Sequence, residues 1–354
     1  MNVWDWVYNK EQELREAGHE QLADFMDRIP EDTCANRHDA VDSYVDEAIK
    51  LAKDAKESWV ELFLRHWHLQ STILHRQKPK QMVREAVSLI EFSHRPENAD
   101  CPQSVCAVQD LTACYRASDG PGYYKERLNA CKETLDRITP RWSCFGCIGA
   151  EYIFALYDNG DYEEALNRLE WIDKQIEQSG CASYDPELEL VRALVLIRLC
   201  KFEQAEKTLK KLQSGSKVFV LPSRVYAALL QAVQKNYDKA LEQLPAAKEI
   251  EIKSDMHIFW IEVIWLCTQE KRTLFKSEYL QQCSRFLEHA EARGAYRQAL
   301  TMGAMVARLA NLTGEESGAS ASALETMKRV QKNLKKDLGA SELIAEVAKE
   351  IEQQ

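Results

Sequence analysis

The chain has 354 residues, of which 45% are apolar and 29% charged, with a formal net charge of −10. This is the balance of a folded globular protein, not of a disordered chain, and the acid excess argues against nonspecific nucleic-acid binding, which needs Lys and Arg to displace phosphate counterions. Gly (13) and Pro (9) are too scarce for the many turns of a strand-rich protein, so long helices joined by short loops are expected.

The N-terminal MNVWDWVYNKEQEL carries neither the basic region nor the apolar run of a secretory signal. No stretch reaches the roughly 18 uncharged apolar residues of a membrane span. The most apolar run, HIFWIEVIWLC at 257–267, is short and contains Glu262. The eleven cysteines are therefore expected to be reduced thiols in a cytoplasmic protein, with no membrane partner.

In chain order, HDAVDSYVDEAIKLAKDA places Val41, Tyr44, Val45, Ala48 and Ile49 on one helical stripe. KESWVELFLRHWHLQSTILH follows with Trp59, Leu62, Phe63 and Trp67. Two segments, 28–37 and 95–102, read as breaks. KQMVREAVSLIEFS (80–93) and DGPGYYKERLNACKETLDRI (119–138) each read as a turn-entered helix. Then a phrase recurs. DNGDYEEALNRLEWI (158–172), LCKFEQAEKTLKKL (199–212) and QKNYDKALEQLPAA (234–247) each hold a turn, an aromatic, and an Ala three residues on. The aromatics fall at 162, 202 and 237, so the periods are 40 and 35. Taking Val83 and Tyr124 as earlier markers adds steps of 41 and 38, and EARGAYRQAL supplies Gly294, Tyr296 and Ala299 after a longer interval of 59. A period near 35–40 built from two helices marks a helical solenoid. After a small-residue loop, TGEESGASAS (313–322), two amphipathic helices suit a C-terminal cap. KRVQKNLKKDL (328–338), with five Lys/Arg and one Asp, reads as a solvated cap face; its sharper reading is a docking helix for an acidic partner.

The phrase resembles the tetratricopeptide repeat, best over 146–179, where Gly160, Asp161, Tyr162 and Ala165 all fit. The resemblance is clear over about 146–250 and degenerate elsewhere; Arg127 stands where the small Ala is expected. It implies an all-α, right-handed superhelical solenoid of antiparallel helix pairs, with irregular N-terminal repeats and a C-terminal helical cap. The expected divisions are 1–100, 101–314 and 320–354 within one continuous unit. With Gly160, Cys200 and Lys235 aligned as turn residues, the resemblance places Ala150, Phe154, Tyr157, Leu190, Leu194, Ile197, Val225, Leu229 and Ala232 on the concave face. These positions carry none of the Lys, Asn and Arg with which related domains grip acidic chaperone tails. An apolar face of this kind either receives a helix or peptide of another protein or is filled by the chain's own segments. The all-round apolar PELELVRALVLIRLC and SDMHIFWIEVIWLC favour filling.

Cys144-Phe145-Gly146-Cys147 invites a chemical reading. Zinc would need a second close pair, for which Cys101 and Cys106 are candidates. Thiol redox would need a helix N-terminus, plausible after Pro140 and Ser143, on a strand–helix scaffold that has no trace here. The plain reading is two small apolar residues at a tight helix contact, with Gly146 and Gly149 beside them. No phosphate-binding loop, dinucleotide fingerprint, zinc-protease motif or nucleophile elbow occurs, so no catalytic site and no cofactor are nominated. The expected function is that of an adaptor, scaffold or regulatory subunit. A sensor that changes curvature on binding a peptide or small molecule, and a zinc- or thiol-dependent protein, are the alternatives.

Overall fold

The computed structural model describes residues 3–75, 78–142, 144–180, 186–215, 217–251, 254–313, 318–334 and 338–352. Among them there is no strand. The helices are α1 (Val3–Glu16), α2 (Glu20–Cys34), α3 (His38–Asp54), α4 (Ser58–Gln70), α5 (Pro79–Ser93), α6 (Cys106–Asp119), α7 (Tyr124–Leu135), α8 (Phe145–Asn159) and α9 (Tyr162–Ser179). They continue with α10 (Pro186–Arg198), α11 (Phe202–Gln213), α12 (Lys217–Val233), α13 (Tyr237–Gln243), α14 (Ala247–Ile250), α15 (His257–Glu270), α16 (Ser277–Arg293), α17 (Tyr296–Thr313), α18 (Ala319–Gln331) and α19 (Leu338–Glu352). Two compact units emerge: Met1–Ala117 with Tyr123–Leu156 and Asn167–Asp185, and Ser118–Gly122 with Tyr157–Leu166 and Pro186–Gln354.

One backbone device joins many of these helices. Gly18, Asn36, Lys56, Gly160, Cys200, Lys235 and Gly294 all have positive φ. In each case the next helix begins two residues later. At Cys200 the Lys201 N–H donates back to the Leu196 carbonyl, while the Lys201 carbonyl accepts from the Ala205 N–H. The same pair of bonds recurs around Arg37, Glu57, Asn236 and Ala295. A left-handed residue closes the first helix in a Schellman turn, and the single residue after it is already the N-cap of the next. The residue five positions past each left-handed one is buried: Ala23, Val41, Glu61, Ala165, Ala205, Ala240 and Ala299. The three turn positions aligned from sequence, 160, 200 and 235, thus share one conformation.

In the first unit, α2 packs on α1, α3 and α4, and α4 on α3 and α5. The apolar residues of α1–α4 form one core, including Trp6, Leu14, Phe25, Met26, Tyr44 and Phe63. A second core lies under α5 and α6, with Leu69, Ile73, Leu89 and Cys114. The expected break at 28–37 is shorter than the sequence suggests: α2 runs through Pro30 to Cys34, and the turn is made at Asn36. The break at 95–102 is present as a 3₁₀ turn, Pro96–Asn98, between α5 and α6.

The position of the missing Ala on α7 is filled by a charge. Arg127 is fully buried, 3.6 Å from the equally buried Glu151 of α8. Arg116 of α6 approaches the same carboxylate at 3.0 Å and lies over the Phe154 ring. Glu151 compensates the cation that replaces a methyl group, as a buried charge requires.

In the second unit, α10 packs on α11 and α12, and α12 on α11, α13 and α15. Farther along, α17 packs on α15, α16, α18 and α19. α17 and α18 come close at Gly303, where a Cβ would lie 2.6 Å from Met327 Cγ. α18 and α19 are the two helices expected as a terminal pair. Residues 314–317 of the expected loop, and 335–337 of the basic run, lie outside the described residues.

Candidate functional site

The nine residues expected on an open concave face are interior. Ala150, Phe154, Tyr157, Leu190, Leu194, Ile197, Val225, Leu229 and Ala232 are all buried, none more than 9% exposed. In the second unit the filling is visible: Phe259 of α15 packs on the rings of Tyr157 and Tyr226, 6.4 and 5.1 Å away. α12 packs on both α10 and α15, because side chains this apolar gain more from mutual burial than from facing water.

That interior has one polar seam. Arg198, at the end of α10, donates from Nε to the Tyr157 hydroxyl at 2.8 Å and grips Glu262 with both terminal nitrogens, at 2.5 and 2.8 Å. Burial pushes the Tyr157 phenol up. Glu262, the one charge in the most apolar run, is the counter-ion of a half-buried guanidinium.

The cysteine region differs from expectation. Cys106 at the start of α6 is disulfide-bonded to Cys144, next to the start of α8, so the expectation of reduced thiols throughout is corrected at this pair. Cys144 is bonded across a 38-residue separation and not to Cys147, which is partly exposed. Cys101 is a buried thiol pushed up to about 12 by desolvation, and burial likewise raises Cys114 and Cys131. The candidate zinc ligands Cys101, Cys106, Cys144 and Cys147 do not converge: among the described residues no group of three His, Cys, Asp or Glu side chains is placed to hold a metal. The tight contact read beside this motif is present at Gly149, where a Cβ would lie 2.9 Å from Ile172 Cδ1. Ser143, taken as part of a helix start, lies outside the described residues.

The surface that offers itself instead lies on α1. Its core face holds Val3, Trp6, Val7 and Leu14. On the other side Trp4 and Tyr8, one turn apart, are 51% and 65% exposed. On another flank of α1 an open cleft of about 590 Å³ runs between the helix and the α3–α4 link, lined by Asp5, Trp6, Lys10, Glu13, Lys56, Glu57 and Trp59 among others. Aromatic packing fixes its floor. Trp6 meets Trp59 and Phe63 at 6.0 and 5.9 Å, and the Trp59 indole N–H donates to the Glu97 carbonyl at 2.8 Å. Lys10 bridges the two walls, 2.6 Å from Glu13 and 3.4 Å from Glu57. The sequence signal for this site was present but unread. Trp4 and Tyr8 share one face at i,i+4 spacing, while Val3, Val7 and Leu14 define another.

No protein-family model matches the chain, and no curated protein matches it significantly. No helix of the described residues is long and apolar enough to cross a membrane.

Proposed function

We propose that the chain is a helical-repeat scaffold of the tetratricopeptide kind, an adaptor or regulatory subunit that binds another protein, and that the exposed aromatic face of α1 is its docking surface. The observation that carries this reading is the exposed aromatic step of Trp4 and Tyr8 on α1, a helix that also walls, on another flank, an open cleft floored by Trp6 and Trp59. Large exposed aromatics are frequent anchors of protein recognition. The repeated left-handed link followed by a buried small residue, at 160, 200, 235 and 294, supports the repeat architecture.

The test is affinity capture from the native cell with the full chain and two variants. Trp4→Ala/Tyr8→Ala is expected to lose the captured partner with its helical circular dichroism intact. Leu194→Glu/Leu229→Glu is expected to lose helical signal and cooperative unfolding, because it drives charge into the interior. A folded, soluble Leu194→Glu/Leu229→Glu chain that alone loses its partner would return the site to the expected concave face. No captured protein at all would remove the adaptor reading.

A further inference from the structure

Three sulfurs of the first unit sit at the N-terminal ends of two helices. Cys106 is the first residue of α6, and the Cys144 carbonyl accepts the first bond of α8, from the Ile148 N–H at 2.9 Å. Their disulfide therefore lies where both helices begin. Arg116, ten positions on from Cys106, meets Glu151, seven on from Cys144, at 3.0 Å and lies over the Phe154 ring. The two helices thus run side by side in one direction, away from the disulfide. Two positive helix ends converge on its sulfurs, and neither helix has an acidic residue in its first turn to offset them. Such a field favours negative charge on sulfur, and so the departure of a thiolate from a disulfide.

Cys147 is the third residue of α8. A side chain at that position lies beside the one that caps the helix, here Cys144. Cys106 and Cys144 are 2% and 7% exposed, whereas Cys147 is partly exposed. An external thiol thus meets Cys147 before either bonded sulfur.

We propose that Cys106–Cys144 is an exchangeable bond and that Cys147 is the thiol that opens it, so that Cys-Phe-Gly-Cys is the redox port of the α6–α8 contact. The Cys147 thiolate attacks Cys144 Sγ. A Cys144–Cys147 bond forms, the Cys106–Cys144 bond breaks, and its electron pair leaves on Cys106 Sγ. Cys147 gives a proton to water and Cys106 takes one from it, so this step involves no net oxidation. Glutathione then attacks the Cys147 sulfur and Cys144 leaves as a thiol. A second glutathione returns Cys147 to a thiol and departs as the oxidised dimer. Two glutathione thiols are oxidised and one protein disulfide is reduced. The exchange unties the beginnings of α6 and α8, whatever α1 binds.

The test uses the full chain, first treated with oxidised glutathione, then incubated with reduced glutathione, quenched with acid and mapped by mass spectrometry. Cys106–Cys144 is expected at the start, with Cys144–Cys147 appearing before both bonds are gone. Cys147→Ser retains the starting bond, of which Cys147 is no part, and is expected to slow its reduction by about tenfold or more. A failed fold would speed reduction, so it cannot mimic this result. Cys34→Ser removes an exposed thiol elsewhere in the first unit and is expected to stay within about twofold of the parent rate. Cys106→Ala, given oxidised glutathione, is expected to form Cys144–Cys147. Parent-like reduction of Cys147→Ser would overturn the inference. So would a parent bond that glutathione leaves intact, which is the behaviour of a purely structural disulfide. Absence of the starting bond, a Cys101–Cys106 bond in place of Cys144–Cys147, or a Cys106→Ala chain of parent-like circular dichroism that forms no Cys144–Cys147 bond would overturn it as well.

Discussion

Lys56, Cys200 and Lys235 hold backbone conformations with φ between +55° and +66°, which crowd a Cβ and cost about 1–2 kcal/mol relative to the right-handed region. Glycine relieves that strain but gives up chain entropy of about 0.5–1 kcal/mol. Cys200→Gly and Lys235→Gly are therefore each expected to raise stability by about 0.5–1 kcal/mol, read as a higher urea midpoint. Gly160→Ala and Gly294→Ala are expected to lower it by about 1 kcal/mol. The turns at 160, 200 and 235 were legible because an aromatic follows at two and an Ala at five. Those at Gly18, Asn36 and Lys56 were not: their followers are Glu20 and Ala23, His38 and Val41, and Ser58 and Glu61. The backbone needs only a residue that tolerates the left-handed region and a side chain that can be buried, and many pairs meet that demand.

Between elements, the contact of α7 with α8 carries the largest unreadable feature. Arg127 was visible as a departure from the small residue of the repeat, but nothing in its neighbourhood named Glu151, 24 positions on, as the group that neutralises it. Such pairing is a property of three-dimensional register and leaves no periodic trace. Removing one partner strands the other charge in the interior. Arg127→Met and Glu151→Leu are each expected to destabilise by about 3–5 kcal/mol. The double variant is expected to recover most of that loss, since Arg116 is partly exposed and can turn to water. A double-mutant cycle by chemical denaturation measures the coupling. By contrast, the helices themselves were well marked. PELELVRALVLIRLC reads as apolar on nearly every face, and Leu188, Leu190, Val191 and Ala193 through Ile197 are all buried.

For the molecule as a whole, acid response turns on two buried groups of opposite sense. His257 is sandwiched against Phe286 at 3.9 Å and donates from Nε2 to the Ile250 carbonyl. Burial, and then His289, lower it to about 4. The folded chain holds it neutral while the unfolded chain takes up a proton near 6.5, so its contribution falls as pH drops from about 6.5 to 4. Asp119 accepts from the Arg297 backbone N–H at the start of α17, yet burial outweighs that bond and raises its carboxyl to about 6. Its folded form holds a proton that the unfolded form releases near 3.8. Its contribution is therefore full below 3.8 and is lost as pH rises through about 6. Each effect is on the order of 3 kcal/mol, and they oppose one another between pH 4 and 6. On acidification from pH 7 to 4.5, His257→Gln is expected to lose less stability than the parent chain and Asp119→Asn more, as measured by thermal melts across pH. At this scale the sequence was least informative. An apolar face that receives a partner and one that closes on itself have the same composition, and only the placement of Phe259 against Tyr157 and Tyr226 separates them. The cleft on α1 was missed for the converse reason. Trp4, Trp6 and Tyr8 look alike in a sequence, although one is floor and two are surface.

The one-residue links constrain how such a chain can change length. Where a single residue both ends one helix and starts the next, an inserted residue has no slack to occupy; it must break the closing bond, the opening bond, or the buried contact five positions on. Length variation is thereby pushed into whole turns of helix or into the looser joins, such as that at Pro96–Asn98 between α5 and α6. The unequal steps of 41, 38, 40 and 35 residues between successive markers fit that restriction. They differ in helix length and in the joins between pairs, while residues 160, 200 and 235 all keep a positive φ. For tolerated insertions, or fusion of a reporter within the chain, the joins are the places to cut and the links are the places to leave alone.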